Sequence, residues 1–176
     1  PIEFTPEEQA RPLIKKLGLH ITDRMFIKDI KTTDAEYYGM DPFVTDEMAE
    51  VALKMKVHKY YTIPELEKLQ KRPWAELKPI FDQLCQVGIC DFEVDEEKGR
   101  MYSVPPYIVG SGEYMGMKKS MVDEHVEATY IFDRMAFHPL LGKTELVPPG
   151  GAGMAMHVIP VEKAIEHVTE AVSCEK

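Results

Sequence analysis

The chain has 176 residues, 44% of them hydrophobic and 29% charged, with a formal net charge of −9 at pH 7. The length suits one compact core or one small domain with helical extensions, and the composition is that of an ordinary soluble protein. No apolar run reaches the roughly 18 residues of a membrane-spanning helix and no signal peptide is evident, so we expect a cytoplasmic protein without membrane contact.

The first 44 residues predict one helix followed by a connector. Thr5, Pro6 and Glu8 form a capping-box pattern, which predicts a helix to about residue 17, with Gly18 closing it. Pro12 interrupts this helix and predicts a kink or an early stop. Residues 19–44 lack clean periodicity: residues 25–30 could form a short helix or strand, and residues 34–44 read as an extended connector.

Residues 45–104 predict a winged helix-turn-helix domain, around which the chain is organised. Thr45 is a candidate N-cap with two acidic residues after it, and Thr62 is a candidate N-cap for a second helix. Pro73 begins a third helix, and Gly88 suits the position just after its end, where a positive φ carries no Cβ penalty. The expected fold class is therefore mainly α, of the α+β type.

A hairpin is predicted after the third helix. Residues 89–94 alternate as a strand, residues 95–99 form a polar turn, and residues 100–104 form the return strand. This hairpin would be the two-stranded wing of the domain.

The remaining residues predict helical extensions. Pro105 and Pro106 end the strand, the glycines of 110–112 suggest a pivot, and a long helix follows within the extension 105–147. Residues 148–176 combine a Pro/Gly hinge with a last helix that is still running where the sequence ends, so we expect the chain to continue past Lys176.

DNA binding is the obvious function of a winged helix, but the charges argue against it. The candidate phosphate-binding residues around the second and third helices are Lys68, Lys71, Arg72 and Lys78. Glutamates alternate with these cations, and the predicted wing is acidic. A protein-docking role for the same fold is therefore preferred, with DNA binding as the alternative.

The glycine-rich segment after residue 147 is a second candidate site. The backbone at Gly150, Gly151 and Gly153 could approach a phosphate or a cofactor held by a neighbouring domain. The segment matches neither a dinucleotide-binding nor a Walker pattern, and a flexible hinge is the preferred interpretation.

No catalytic or metal site is evident in the sequence, so whether the chain belongs to an enzyme stays open. The six histidines show no metal-ligand spacing, and neither HExxH nor HxxxH occurs. The cysteines form no CxxC pair, and their odd number fits reduced thiols better than a disulfide framework. They are Cys85, Cys90 and Cys174.

Two stretches carry a resemblance to a known family. Residues 45–53, TDEMAEVAL, and residues 148–165, with PPGGAGM followed by HVIPVEKAI, resemble the N-terminal winged-helix region of 4Fe–4S ferredoxin / pyridine nucleotide–disulfide oxidoreductase proteins from anaerobes. The resemblance covers most of residues 40–170. It implies a front module that binds no cofactor itself, with 4Fe–4S clusters and FAD in a downstream part.

Two hypotheses follow. In the first, the chain is a non-catalytic docking or oligomerisation module of an electron-transferring iron–sulfur flavoprotein. Its partners would be its own downstream ferredoxin and flavin domains, a partner redox subunit, or a second copy. In the second, it is a winged-helix transcriptional regulator that binds DNA.

Overall fold

The structure is a computed structural model that describes residues 3–24, 26–117 and 119–124. A 3₁₀ turn, Glu7–Gln9, comes first. The α-helices are α1 (Pro12–Ile21), α2 (Ala35–Tyr38), α3 (Asp46–Leu53), α4 (Ile63–Gln70), α5 (Trp74–Gln86), α6 (Gly112–Met117) and α7 (Lys119–Glu124). The strands are β1 (Tyr61–Thr62), β2 (Asp91–Asp95) and β3 (Gly99–Ser103), and a π-helical turn spans Tyr107–Ser111.

The first helix begins later than the sequence predicted. Pro12 is its first residue, a position where the missing proline N–H has no partner to lose, so proline starts this helix instead of interrupting it. Thr5 does not act as a cap, because its hydroxyl donates to the Asp41 carboxylate at 3.1 Å. The side chain of Thr5, predicted to be part of a capping box, therefore makes a long-range contact instead.

Gly18 was predicted to close the first helix, but it lies inside α1. A Cβ at this position would lie 3.2 Å from the Cβ of Glu36 and 3.4 Å from the side chain of Ile30. Glycine lets the segment around α2 lie directly against the helix, which continues to Ile21.

The N-caps of the next two helices are confirmed. The Thr45 hydroxyl accepts the backbone N–H of Met48 at 3.2 Å, at the start of α3. At the start of α4, the backbone N–H of Thr62 donates to the Glu65 carboxylate at 2.8 Å. Both contacts satisfy backbone donors that a helix start leaves without an intrahelical partner.

The end of α5 is also confirmed. Gly88 has φ of +81°, and the amides of Ile89 and Cys90 both donate to the carbonyl of Leu84, at 2.9 and 3.1 Å. Because Ile89 and Cys90 complete this turn, β2 starts at Asp91, two residues later than predicted.

The strands form a three-stranded antiparallel sheet in the order β1–β3–β2. The sequence predicted a two-stranded hairpin, and β1 adds a third strand through the pairs Tyr61 with Tyr102 and Thr62 with Met101. In the hairpin itself Phe92 lies opposite Tyr102 and Val94 opposite Arg100. The fold is thus a mixed α/β structure with a small sheet.

The glycines after the hairpin form helical turns instead of the predicted pivot. The π-helical turn leads directly into α6, and a Cβ on Gly110 would lie 2.9 Å from the Cβ of Pro105. The Tyr107 hydroxyl donates to the carbonyl of Ala35 at 2.8 Å and so ties this turn to the N-terminal part of the chain. Of the long helix predicted from residue 113, α6 and α7 are described, and residues 125–137 lie outside the described residues.

One hydrophobic core joins segments that the sequence treated separately. Ile14 and Tyr37 come from the predicted first segment, and both are fully buried in the same cluster as Met48, Phe81 and Met115. The predicted connector therefore contributes directly to the core. In the described part of the chain, no helix is long and apolar enough to cross a membrane.

Candidate functional site

The four cations predicted as phosphate-binding residues lie at the junction of α4 and α5. Lys68 is exposed in the last turn of α4, and Lys71 follows as its C-cap with φ of +56°. Arg72 lies in the loop and Lys78 in the second turn of α5. The predicted residues are thus distributed over the end of α4, the following loop and the second turn of α5.

Two of these cations are held by carboxylates. The Arg72 guanidinium lies 2.7 Å from a Glu47 oxygen and 3.3 Å from a Glu76 oxygen, while Lys78 lies 2.6 Å from Asp82. The hydrogen bond that Arg72 donates to the Glu47 carboxylate is the main cause of the raised pKa of Arg72. Such exposed pairs add little stability, but a phosphate would have to displace carboxylates to reach these cations.

The β2–β3 hairpin is strongly acidic. Between residues 91 and 100 it carries five carboxylates and two cations, a formal net charge of −3. Asp95 organises the turn, because its carboxylate accepts the backbone N–H groups of Glu97 and Lys98 at 2.9 and 2.8 Å. These bonds, that from Lys98 first, lower the pKa of Asp95 and favour its charged form.

An aromatic row extends from the core to the surface of the hairpin. Its members are Phe81, Trp74, Tyr102 and Phe92, with Tyr102 in contact with each of the others. The ring centroids of Phe81 and Tyr102 lie 5.0 Å apart, and those of Phe92 and Tyr102 lie 6.3 Å apart. Phe81 is fully buried, whereas Phe92 is 49% exposed. The apolar surface of the core thus continues onto the hairpin.

Val94 extends the exposed end of this row. Residues two apart on a strand share a face, so Val94 lies on the same side of β2 as Phe92 and is 67% exposed. Across the hairpin the Arg100 guanidinium stacks over the Phe92 ring, 4.3 Å from its centroid. We call Phe92 and Val94 the apolar face of β2.

The opposite face of β2 is polar. The Tyr60 hydroxyl donates to the Asp91 carboxylate at 3.1 Å, and Glu93 is exposed on the same side of the strand. Burial is the main cause of a raised pKa at Tyr60, and the Asp91 charge adds to it. We call Asp91, Glu93 and Asp95 the acidic face of β2.

The two described cysteines, Cys85 and Cys90, are thiols whose environment favours the protonated form. Burial is the first cause that raises the pKa of the Cys85 thiol to about 12, and the pKa of the fully buried Cys90 is raised well above its usual value. Within residues 3–24, 26–117 and 119–124, no three His, Cys, Asp or Glu side chains are grouped as a metal site.

Gly150, Gly151 and Gly153, predicted as a backbone approach to a cofactor, lie outside the described residues, as does the rest of the segment 148–176. The role of these glycines therefore remains a prediction from the sequence.

No protein-family model, curated protein or solved structure matches this chain. The resemblance to iron–sulfur oxidoreductases therefore remains a prediction from residues 45–53 and 148–165.

The exposed apolar face of β2 was not predicted from the sequence. The alternation Asp-Phe-Glu-Val-Asp at 91–95 predicts one apolar and one acidic face. Alternation alone assigns the apolar side chains to the core, whereas the helices cover Tyr102 and leave Phe92 and Val94 exposed. The exposure depends on where the helical layer ends, which the local pattern does not encode.

Proposed function

We propose that this chain is a winged helix-turn-helix that serves as a non-catalytic protein-docking module. The order α3, α4, α5 and the β2–β3 hairpin supports the winged-helix assignment, with β1 between the first two helices completing the sheet. A fold of this kind hosts several functions, so the surface chemistry has to decide between them.

The observation that carries the docking role is the charge of the surfaces that would face DNA. Arg72 and Lys78 are each held by carboxylates, and the hairpin has a net charge of −3. Duplex binding requires Lys and Arg side chains that neutralise phosphates, and an acidic wing would be repelled by the DNA backbone. The exposed apolar face of β2 instead offers a surface that a protein can cover.

The resemblance supports a redox setting for this module. On that basis we place it ahead of 4Fe–4S and FAD domains in an electron-transferring oxidoreductase, in the cytoplasm. Its partner would be those downstream domains, a partner redox subunit or a second copy of the chain. On this proposal the clusters, the flavin and the redox chemistry belong to the downstream part.

A titration with labelled random-sequence duplex DNA at low salt tests docking against DNA binding. We expect no binding below about 10 μM protein, whereas non-specific DNA-binding proteins reach the micromolar range. Tight binding that weakens steeply with added salt would overturn the docking role. The triple variant Glu47→Gln, Glu76→Gln, Asp82→Asn is the matched control, because it releases Arg72 and Lys78 and should bind DNA more tightly than the native chain.

The redox setting has its own test. The coding sequence is read past Lys176, and any longer product is expressed anaerobically and assayed for iron, sulfide and bound flavin. We expect CxxC motifs and a product that holds both iron–sulfur clusters and flavin. A stop codon directly after Lys176 would reject this setting and leave the docking role to be judged by the DNA titration.

A further inference from the structure

We propose that the outer edge of β2 binds an extended segment of a partner protein in which apolar residues alternate with Lys or Arg. This inference rests on the docking role proposed above, and it adds the surface and the chemistry of the partner. Its basis is the strand order, the two faces of β2 and their charge.

Among the described residues, the outer edge of β2 is free for strand addition. In the order β1–β3–β2, β2 pairs with β3 on one side, and no other strand in the described residues pairs with its second side. A strand at the edge of a sheet directs alternate backbone N–H and C=O groups outward. An extended segment can use these groups to add a fourth strand, a common mode of peptide recognition.

The apolar face of β2 selects one set of side chains in the incoming strand. Phe92 and Val94 are 49% and 67% exposed, and Phe92 adjoins the ring of Tyr102, which is only 2% exposed. Directly opposed residues in an antiparallel pair have Cβ atoms about 5 Å apart. Apolar side chains at every second position of the partner would therefore cover Phe92 and Val94 and extend the aromatic row.

The acidic face of β2 selects the side chains at the intervening positions of the incoming strand. Asp91, Glu93 and Asp95 lie on this face, and Lys or Arg side chains at the intervening positions of the partner would lie next to them. The turn adds Glu96 and Glu97 beyond the end of the strand. A partner strand therefore needs period-two alternation with positive charge on one face.

The same charges argue against a second copy of this chain at the edge. Pairing two β2 strands edge to edge would bring two sets of acidic residues together, and like charges on adjacent strands destabilise the pair. Charged side chains on edge strands commonly prevent self-association. Here they would exclude a second copy while they attract a basic segment.

The test uses the full 176-residue chain and synthetic peptides of about ten residues, a typical strand length. The probe is a labelled peptide that alternates Lys and Val. One control has the same composition with the lysines and valines in separate blocks, and a second alternates Glu and Val. We expect the Lys–Val probe to bind at least about tenfold more tightly than either control, and backbone amides of residues 91–95 to gain protection from hydrogen exchange.

Variants locate the site. Val94→Lys should weaken binding of the Lys–Val probe by about tenfold or more, because it removes apolar surface and adds a like charge. Leu19→Lys on α1 is the matched control, since Leu19 is also an exposed apolar residue, at 39%, and should leave binding unchanged. If Val94→Lys does not fold, Glu93→Lys is the second variant and should shift the preference toward the Glu–Val peptide.

Three results would overturn the proposal: equal binding of the block peptide, protection that maps away from residues 91–95, or self-association of the native chain that Val94→Lys abolishes. The last would assign the edge to a second copy. Failure here is distinct from failure of the docking role, because a chain that binds neither the Lys–Val probe nor DNA retains that role at another surface. Salt-sensitive binding of duplex DNA would overturn the docking role itself.

Discussion

Phe92 and Tyr102 face each other across the hairpin with ring centroids 6.3 Å apart, yet Tyr102 is 2% exposed and Phe92 is 49% exposed. The helical layer ends between these two rings. Tyr102 packs against Trp74 and Phe81 beneath it, whereas Phe92 presents much of its ring to solvent. One continuous row of aromatic rings therefore serves folding at one end and is available for binding at the other.

The two ends of this row should respond differently to truncation. Phe81→Ala should lower the free energy of unfolding by about 3–5 kcal/mol, because it leaves a cavity in the core. Phe92→Ala should lower it by less than about 1 kcal/mol, since half of that ring is already exposed. Urea unfolding followed by circular dichroism measures both. Equal losses would show that Phe92 is part of the core.

Gly88 and Gly99 separate a backbone effect from a packing effect. Both have positive φ, +81° and +73°, so alanine should cost about 1 kcal/mol at either position. A Cβ at Gly88 would also lie 2.6 Å from the Cβ of Tyr114, while nothing lies within 4 Å of one at Gly99. We expect Gly88→Ala to destabilise the chain by at least about 1 kcal/mol more than Gly99→Ala in the same unfolding experiment. Similar losses would mean that Tyr114 moves freely away from the turn.

The ion pair between Arg24 and Glu36 should contribute more to the free energy of unfolding than an exposed pair does. Glu36 is 4% exposed and accepts two hydrogen bonds from the Arg24 guanidinium, at 2.8 and 2.9 Å. Glu36→Ala should cost about 2–3 kcal/mol, somewhat below a fully buried pair because Arg24 is partly solvated. Lys78→Ala, which breaks the exposed pair with Asp82, should cost less than about 0.5 kcal/mol. If Glu36→Ala lowers the free energy of unfolding no more than Lys78→Ala does, the two ion pairs do not differ as predicted.

The raised pKa of Cys85 predicts that the free energy of unfolding falls at alkaline pH. Its pKa is raised from 9.0 to about 12 by burial first and then by the carboxylates of Asp91 and Asp82. The folded chain keeps this proton at pH values where the unfolded chain loses it, so the stabilising contribution is complete below pH 9 and is lost as pH rises toward 12. The free energy of unfolding should therefore fall less steeply above pH 9 in Cys85→Ala than in the native chain. Parallel slopes would contradict the burial of this thiol.

The features that the sequence predicted correctly depend on a few neighbouring residues. Thr45 and Thr62 cap their helices, and Gly88 adopts a positive φ, because each requirement is set within one turn of the chain. Thr5 failed as a cap because its hydroxyl is engaged by Asp41, 36 residues away. Capping patterns hold where no distant group competes for the same side chain.

The candidate site was only partly predictable. Lys68, Lys71, Arg72 and Lys78 were identified from their charge, but the carboxylate closest to Arg72 comes from Glu47 on α3, 25 residues earlier in the chain. The alternation at 89–94 predicted a strand, but the helical layer decides which of its side chains are covered. The ion-pair partner of Arg72 and the exposure of the β2 side chains therefore could be seen only in the tertiary structure.

The most direct measurement compares two ligands on one preparation of the chain. Labelled Lys–Val peptide and labelled random-sequence duplex DNA are titrated with the native protein in the same low-salt buffer. The docking role predicts that the DNA does not bind below about 10 μM protein, and the proposed use of the β2 edge adds that the peptide binds with protection of residues 91–95. Salt-sensitive binding of the DNA at micromolar protein would contradict the docking role, whether or not the peptide binds.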